Sequence, residues 1–389
     1  MEGRNVYLDH NATTPLHPEV REEMVKSFEY FGNPSSLHTP GRKARIAVDE
    51  ARERIAGFIG ADKPGEVYFT SCGSEGNNTV LNNALDRVLS DSTKRSEFVT
   101  TEIEHPCITK SIDHIIAGGM FVKSCPVDGK TRVDKEIFEE IISSDVYMVS
   151  VMSANNETGT IQDIGHFSKR AHEYGALFHT DAVQALGKIP FNVKECDLDY
   201  ATFSAHKIYG PKGVGALYVK EGVPAIPFIL GGHQERSKRA GTENISGILG
   251  FAKAVEMREK EMEEEAERLN QIKEWFKREL SSGIDRISFN GDQEFSLPGT
   301  LNVSFEGAEG EALLLYLDFT GISVSTGSAC ASGSLSPSYV LTASGLSPEL
   351  AHGSVRFSMG RDTTKDDMEY TVERLTELVE KIRSISSIN

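Results

Sequence analysis

Lys207 lies in the run Ser204-Ala205-His206-Lys207, which follows apolar, strand-forming residues and precedes Gly210, Pro211 and Gly213. An amine presented at the mouth of a strand, in a partly desolvated pocket, loses its proton more readily and attacks carbonyl carbon. That is the chemistry of lysines that form Schiff bases. A lysine in this setting needs partners, and several residue types in the chain qualify. Asp181 and Gln184 stand in His179-Thr180-Asp181-Ala182-Val183-Gln184. A carboxylate there either caps the next helix or keeps a pyridinium nitrogen protonated, so that a flat ring acts as an electron sink. Gln184, and Asn156 in Asn155-Asn156-Glu157, can donate to a phenolate oxygen. His105, before Pro106, is either structural or an imidazole that stacks on such a ring and moves a proton. The turn Ser71-Cys72-Gly73-Ser74 opens a helix: it is an ordinary N-cap at Ser74 or a set of free N–H groups suited to a phosphate.

A second reactive group is Cys330, flanked by serine and glycine from Ser325 to Ser338. That composition suits an exposed, mobile loop carrying a nucleophile, and equally an incidental surface thiol. The five cysteines (Cys72, Cys107, Cys125, Cys196, Cys330) are odd in number and never spaced C-x-x-C, so neither a disulfide framework nor a zinc site is expected.

The elements that must hold these groups alternate in type. Strands are expected at Val67–Thr70, Glu97–Thr101, Val146–Val151, Ala176–His179, Tyr200–Phe203 and Gly215–Val219, with helices at Ser74–Leu89, Pro106–Ile116 and Ile164–Tyr174. Short buried strands alternating with helices imply a mostly parallel sheet covered on both faces, with ligands bound beyond the carboxyl ends of its strands. Before this block, a short strand at Val6 leads to helices over Pro18–Phe31 and Arg42–Ile59, joined by the turn-rich loop Gly32–His38, which read alone is a linker. After it, Ile245–Leu280 is a long helix whose acidic block Glu259–Glu267 reads as a solvated face. Strands near Ile287, Leu301, Ser323 and Val355, and a terminal helix Lys365–Ile385, describe a smaller α+β unit.

With 389 residues, two domains are expected. A hydrophobic content of 39% with 25% charged residues is that of a globular protein, and a formal charge of −17 argues against nucleic acid or an anionic membrane as partner. No run of eighteen apolar residues occurs, and Met1–Asn5 lacks the pattern of a signal peptide, so a cytoplasmic location is expected.

Taken together and in order, these segments resemble the cysteine desulfurases of the NifS/IscS type, which depend on pyridoxal 5′-phosphate (PLP) and have fold type I. The resemblance runs nearly end to end through Tyr7–Pro15, Gly32–His38, Asn155–Gly159, Ser204–Gly213 and Arg239–Asn244. It implies a large PLP-binding α/β domain (16–262) with a seven-stranded, mostly parallel sheet, and a small α+β domain (1–15 and 263–389) carrying the cysteine loop. It also implies that Lys207 is the Schiff-base lysine, Asp181 the partner of the ring nitrogen, Gln184 and Asn156 contacts of the cofactor oxygen, and His105 the stacked residue. Gly73, Ser74, Ser204 and His206 match the phosphate cup. Thr242 matches a phosphate ligand given by the other subunit of a homodimer. Arg356 matches the clamp on the substrate carboxylate, where Asn156 also contributes, and bidentate geometry is the physical reason for arginine. The Ser328-Ala329-Cys330 run and the long loop around it match the group I subclass. One departure is Cys72-Gly73-Ser74 where many relatives have Gly-Ala-Thr; serine keeps the hydroxyl, and Cys72 matches no family role.

The reaction so implied converts L-cysteine to L-alanine and leaves the sulfur as a persulfide on Cys330. An acceptor protein such as an iron–sulfur scaffold or a thiolation protein then takes it. No resident metal is expected, although Cys330 is a conceivable ligand of a transferred iron–sulfur cluster. A selenocysteine lyase or another PLP aminotransferase would share the Lys207 and Asp181 logic, and an aminotransferase would have no need of Cys330. A non-catalytic assembly subunit would not fill these positions.

Overall fold

The computed structural model describes residues 4–90, 92–327 and 336–385. The strands, in chain order, are β1 (Val6–Tyr7), β2 (Val67–Thr70), β3 (Glu97–Thr101), β4 (Phe121–Cys125), β5 (Val146–Ser150), β6 (Leu177–Asp181), β7 (Tyr200–Ser204), β8 (Gly215–Val219), β9 (Ile287–Asn290), β10 (Thr300–Phe305), β11 (Ile322–Ser323) and β12 (Ser354–Ser358). β2 to β8 form one seven-stranded sheet in the order β2-β8-β7-β6-β5-β3-β4, parallel throughout except for β8, which is antiparallel to both its neighbours. The expected α/β architecture is therefore present.

Every residue of β5, β7 and β8 is buried, which is why their sequences read as continuous apolar or small runs rather than alternating ones. Helices cover both faces and a core forms on each. Phe69, Phe178 and Phe203 belong to one, Phe98, Met148 and Tyr200 to the other. A separate core gathers Val6 and Leu8 from the start of the chain with Leu269, Phe276, Val303, Phe357 and Leu375 from its end. There β9, β10 and β12 make a small antiparallel sheet, while β1 pairs in parallel with β11 through Val6↔Ile322. The helix Ile245–Gly283 contributes to both cores, through Phe251 and Val255 on one side and Phe276 and Leu280 on the other.

Several expected elements differ in detail. The first helix is Pro18–Ser27 and stops short of Phe31. The expected helix Pro106–Ile116 is two pieces, Pro106–Thr109 and Ile112–Ala117. The strand β4 and the helix Lys135–Ile141 were not anticipated. β4 lies at the sheet edge with most of its side chains partly or fully exposed, so its residues carry no apolar alternation. The acidic block on the long helix is only partly a solvated face: Glu265 takes hydrogen bonds from Tyr209 Oη (2.7 Å) and from Arg258 (2.8 Å), a buried arginine.

Candidate active site

A cleft of about 460 Å³ opens beyond the carboxyl ends of the parallel strands. Each of β2, β3, β5, β6 and β7 delivers a side chain to it from the residues at or just after its end. The strand β7 closes with Ser204, and a single 3-10 turn, Ala205–Lys207, then carries His206 and Lys207 over the cleft. Lys207 Nζ donates to the carbonyls of Asn11 (2.6 Å) and Ala12 (2.9 Å). Burial, helped by Lys207, Lys212 and Lys188, pushes the His206 imidazole down to about 4. His206 is thus neutral at pH 7 and offers hydrogen bonds rather than charge.

After β2, Cys72 is the N-cap of the helix Gly73–Leu89 and makes no side-chain capping bond. Ser74 is therefore inside the helix, and the simple N-cap role is excluded for it. The first-turn N–H groups that no helix carbonyl can reach lie at the cleft with Gly73 and Ser74. A Cβ on Gly73 would stand 2.7 Å from Val183 Cγ2, so a larger residue here would have to displace the Val183 side chain.

Asp181 ends β6 with 5% of its surface exposed. Both of its oxygens are engaged within the chain. Oδ1 accepts from Val183 N (3.0 Å) and ties down the following turn, while Oδ2 accepts from Asn77 Nδ2 (2.6 Å). Gln184 donates from Nε2 to Asn11 O (3.0 Å) and accepts at Oε1 from Lys188 (2.6 Å), which fixes the amide orientation and leaves its second N–H for a ligand.

His105 caps the helix Pro106–Thr109, accepting at Nδ1 from Cys107 N (3.2 Å). Burial lowers its basicity most; Asp181 favours the protonated ring and Lys207 opposes it. Arg356, in β12, donates from Nη1 to Asn156 O (2.9 Å) and from Nη2 to Asp9 Oδ1 (2.7 Å), and its Nε is buried without a partner.

The cleft thus brings together Gly73, Ser74, His105, Asn156, Asp181, Gln184, Ser204, His206, Lys207 and Arg356. Thr242 is exposed and does not line it. Cys330 lies outside the described residues. Cys72 lines the cleft, half-buried. The four described cysteines are free, and among the described residues no cluster of three or more His, Cys, Asp or Glu could hold a metal ion.

The lining fits PLP. Ser204 Oγ, which can donate, and Asn156 Oδ1, which accepts, are buried at the cleft without any partner, as expected of groups arranged for a ligand rather than for the protein. Sequence reasoning missed Asn11 as a hub. It accepts from Lys207, Gln184 and Lys188 and donates to Thr300 Oγ1 (3.1 Å) and Asn156 O (3.2 Å). Its motif was legible but its partners come from across the chain. Asn77 and Cys107 were missed too; their positions one helical turn into a strand-end helix and beside His105 were the available signals.

Residues 6–371 match the family described as Aminotransferase class-V. A curated relative, cysteine desulfurase IscS of Dictyoglomus turgidum, is 48% identical over 385 residues, covering 98% of this chain and 96% of its own length. Among solved structures, a NifS-like protein has a TM-score of 0.91 at 36% identity, covering 97% of this chain and 100% of that one. SspA in complex with cysteine has a TM-score of 0.79 at 31% identity, with 92% and 99% covered.

Proposed function

The chain belongs to the class-V aminotransferase family and, within it, to the PLP-dependent cysteine desulfurases, and from that premise we propose how its own residues divide the reaction. When bound, PLP supplies an aldehyde for an amine and a ring that accepts electrons from the substrate α-carbon. Its phosphate would be held by the first-turn amides at Gly73 and Ser74, with Ser204 and His206. Asp181 would keep the proton on the ring nitrogen, Gln184 and Asn156 would donate to the ring oxygen, and His105 would stack on the ring. Arg356 binds the carboxylate of L-cysteine, exchanging its contact with Asp9 for a bidentate one, with Asn156 alongside.

Lys207 is the base that removes the α-proton of L-cysteine, and His105 moves the proton of the substrate thiol. Cys330, as thiolate, attacks the substrate sulfur: the new S–S bond forms, the Cβ–S bond breaks, and protonation at Cβ together with return of the α-proton from Lys207 to Cα gives L-alanine. The persulfide sulfur then passes to the thiolate of an acceptor protein, an iron–sulfur scaffold or thiolation protein. Cys330 is also the candidate ligand for a cluster in transit.

Thr242 completes the phosphate site of a second subunit in a homodimer. Its exposure supports this, as do the exposed side chains of Val25, Phe28, Phe31 and Leu37. No helix among the described residues is long and apolar enough to cross a membrane; we assign the protein to the cytoplasm. The division into domains 16–262 and 1–15 with 263–389 is supported by the positions at which the long helix changes cores, Val255 and Leu269.

The observation that carries the reading is the convergence of Lys207, Asp181, Gln184, His105 and Arg356 on one cleft. Protein loaded with PLP and given L-cysteine and a reductant is expected to release alanine and sulfide in equal amounts. Cys330→Ala is expected to abolish sulfide release and retain the visible absorbance of the cofactor. Absence of alanine from the wild-type protein overturns the reading, and an unchanged rate in Cys330→Ala points to an aminotransferase instead.

A further inference from the structure

Cys107 has no part in the reaction described above, yet it lines the cleft between two groups that do. Its Sγ is 3.0 Å from His105 Nδ1 and 3.1 Å from Asn77 Nδ2. The same Asn77 nitrogen donates to Asp181 Oδ2 at 2.6 Å.

The direction of every bond in this chain follows from the inventory of donors. A carboxylate accepts only, so the atom of Asn77 that faces Asp181 is its NH2 group. One of the two N–H bonds goes to Asp181 and the other to the sulfur. A backbone N–H donates only, and Cys107 N–H points at His105 Nδ1 (3.2 Å), so Nδ1 carries a lone pair and the neutral ring holds its proton on Nε2. With an N–H arriving from Asn77 and a bond from Ser74, Cys107 is placed as a thiol whose S–H shares the Nδ1 lone pair with its own backbone N–H. A thiolate there would set its charge against the Nδ1 lone pair, although Asn77 and Ser74 both hydrogen-bond to the sulfur. Burial first and Asp181 second push the thiol up to about 12, so it keeps its proton.

We propose that Cys107, with Asn77, is a positioning residue that links Asp181 to His105 and holds the neutral imidazole as its Nε2–H tautomer. The proposal rests on the reading of His105 and Asp181 as cofactor-facing groups, but the hydrogen bonds that carry it belong to the chain alone. Two charged groups face the imidazole, Asp181 favouring its protonation and Lys207 opposing it. The S–H donor adds a third influence, because a bond donated to Nδ1 stabilises the neutral ring.

The test compares wild type with Cys107→Ala and Cys107→Ser. In full-length protein without cofactor, labelled with 15N in the histidine rings and assigned through His105→Gln, wild-type His105 is expected to show the Nε2–H tautomer. In Cys107→Ala the midpoint of its titration is expected to rise by about half a pH unit or more. In Cys107→Ser, where a hydroxyl replaces the donor, it is expected to remain near wild type.

In the PLP-loaded enzyme the acid limb of kcat for alanine formation is expected to move with the same sign in Cys107→Ala, with KM for L-cysteine within about twofold. A His105 midpoint unmoved in Cys107→Ala, or an Nδ1–H tautomer in wild type, overturns the proposal. Loss of alanine formation in wild type would overturn the functional reading instead, and the titration without cofactor separates the two.

Discussion

Glu104 precedes His105 and is completely buried. Its Oε1 accepts from Thr101 Oγ1 and from Met152 N, both at 2.8 Å, whereas its Oε2 has no partner. Burial, only partly offset by these two bonds, pushes the carboxyl up to about 8. An acid whose folded pKa lies above its unfolded value favours the folded state while both are protonated. The advantage is fully present below about pH 4.5 and is lost as pH rises towards 8, because the unfolded chain releases the proton first. Glu104→Gln keeps the shape and cannot ionise. Its stability relative to wild type is expected to increase between pH 5.5 and pH 8.5 by on the order of 3 kcal/mol. Calorimetric unfolding at the two pH values measures this, and a difference that does not change with pH would show that Glu104 is not neutral in the native state.

Among the elements, the segment leading to Thr242 depends on a buried ion pair. Glu235, Arg236 and Ser237 have φ of 46°, 55° and 64°, three successive left-handed residues with no glycine among them. Glu235 is held by Nη1 and Nη2 of Arg52 (2.6 and 2.9 Å) and by Phe69 N (3.0 Å), and Arg52 Nη1 also donates to Val67 O (2.8 Å). Both side chains are 2% exposed, so removal of one strands the other's charge. Arg52→Met is expected to cost about 3–5 kcal/mol, and Arg52→Met with Glu235→Met to recover a large part of it. Thermal unfolding of the single and double variants decides this: a double variant no more stable than the single one contradicts it.

This segment also marks where the sequence ceased to be legible. Left-handed backbone at Glu235 to Ser237 leaves no local pattern, because its cause, Arg52, lies far away in the chain. The strand-end clusters were legible because each combines an apolar run with a chemically distinctive stop, as at Phe203-Ser204-Ala205-His206-Lys207. The helix Lys135–Ile141 had one readable signal, its cap at Asp134, which accepts from Glu136 N and Ile137 N. The helix expected over 106–116 failed because its periodicity continues through Lys110 and Ser111 although the backbone does not. The Asp181–Asn77–Cys107–His105 chain was invisible for a different reason: its members come from three strand ends and meet only in the folded cleft.

For the whole molecule, the order of the chain is not the order of assembly of the site. Asn11, near the start, supplies the carbonyl that takes Lys207 and Gln184, and its own backbone N–H donates to Ser358 Oγ near the end. Lys207 is therefore set by contacts that close only when both ends of the chain have docked on the large sheet. The proposed dimer extends the same dependence to a second chain. Phe31, Leu37 and Leu230 are 84%, 88% and 80% exposed, the first beside and the second within the motif Gly32–His38, as expected of side chains that a partner covers. If these side chains pack between subunits, Phe31→Glu with Leu37→Glu removes apolar area and sets charge against it. The variant is expected to sediment as a monomer where wild type sediments as a dimer. It is also expected to bind PLP at least about tenfold more weakly, since Thr242 would no longer be supplied by the other subunit. Wild-type protein that is monomeric and retains PLP tightly would refute both the dimer and the role of Thr242. A monomeric variant with unchanged PLP affinity would refute the role of Thr242 alone.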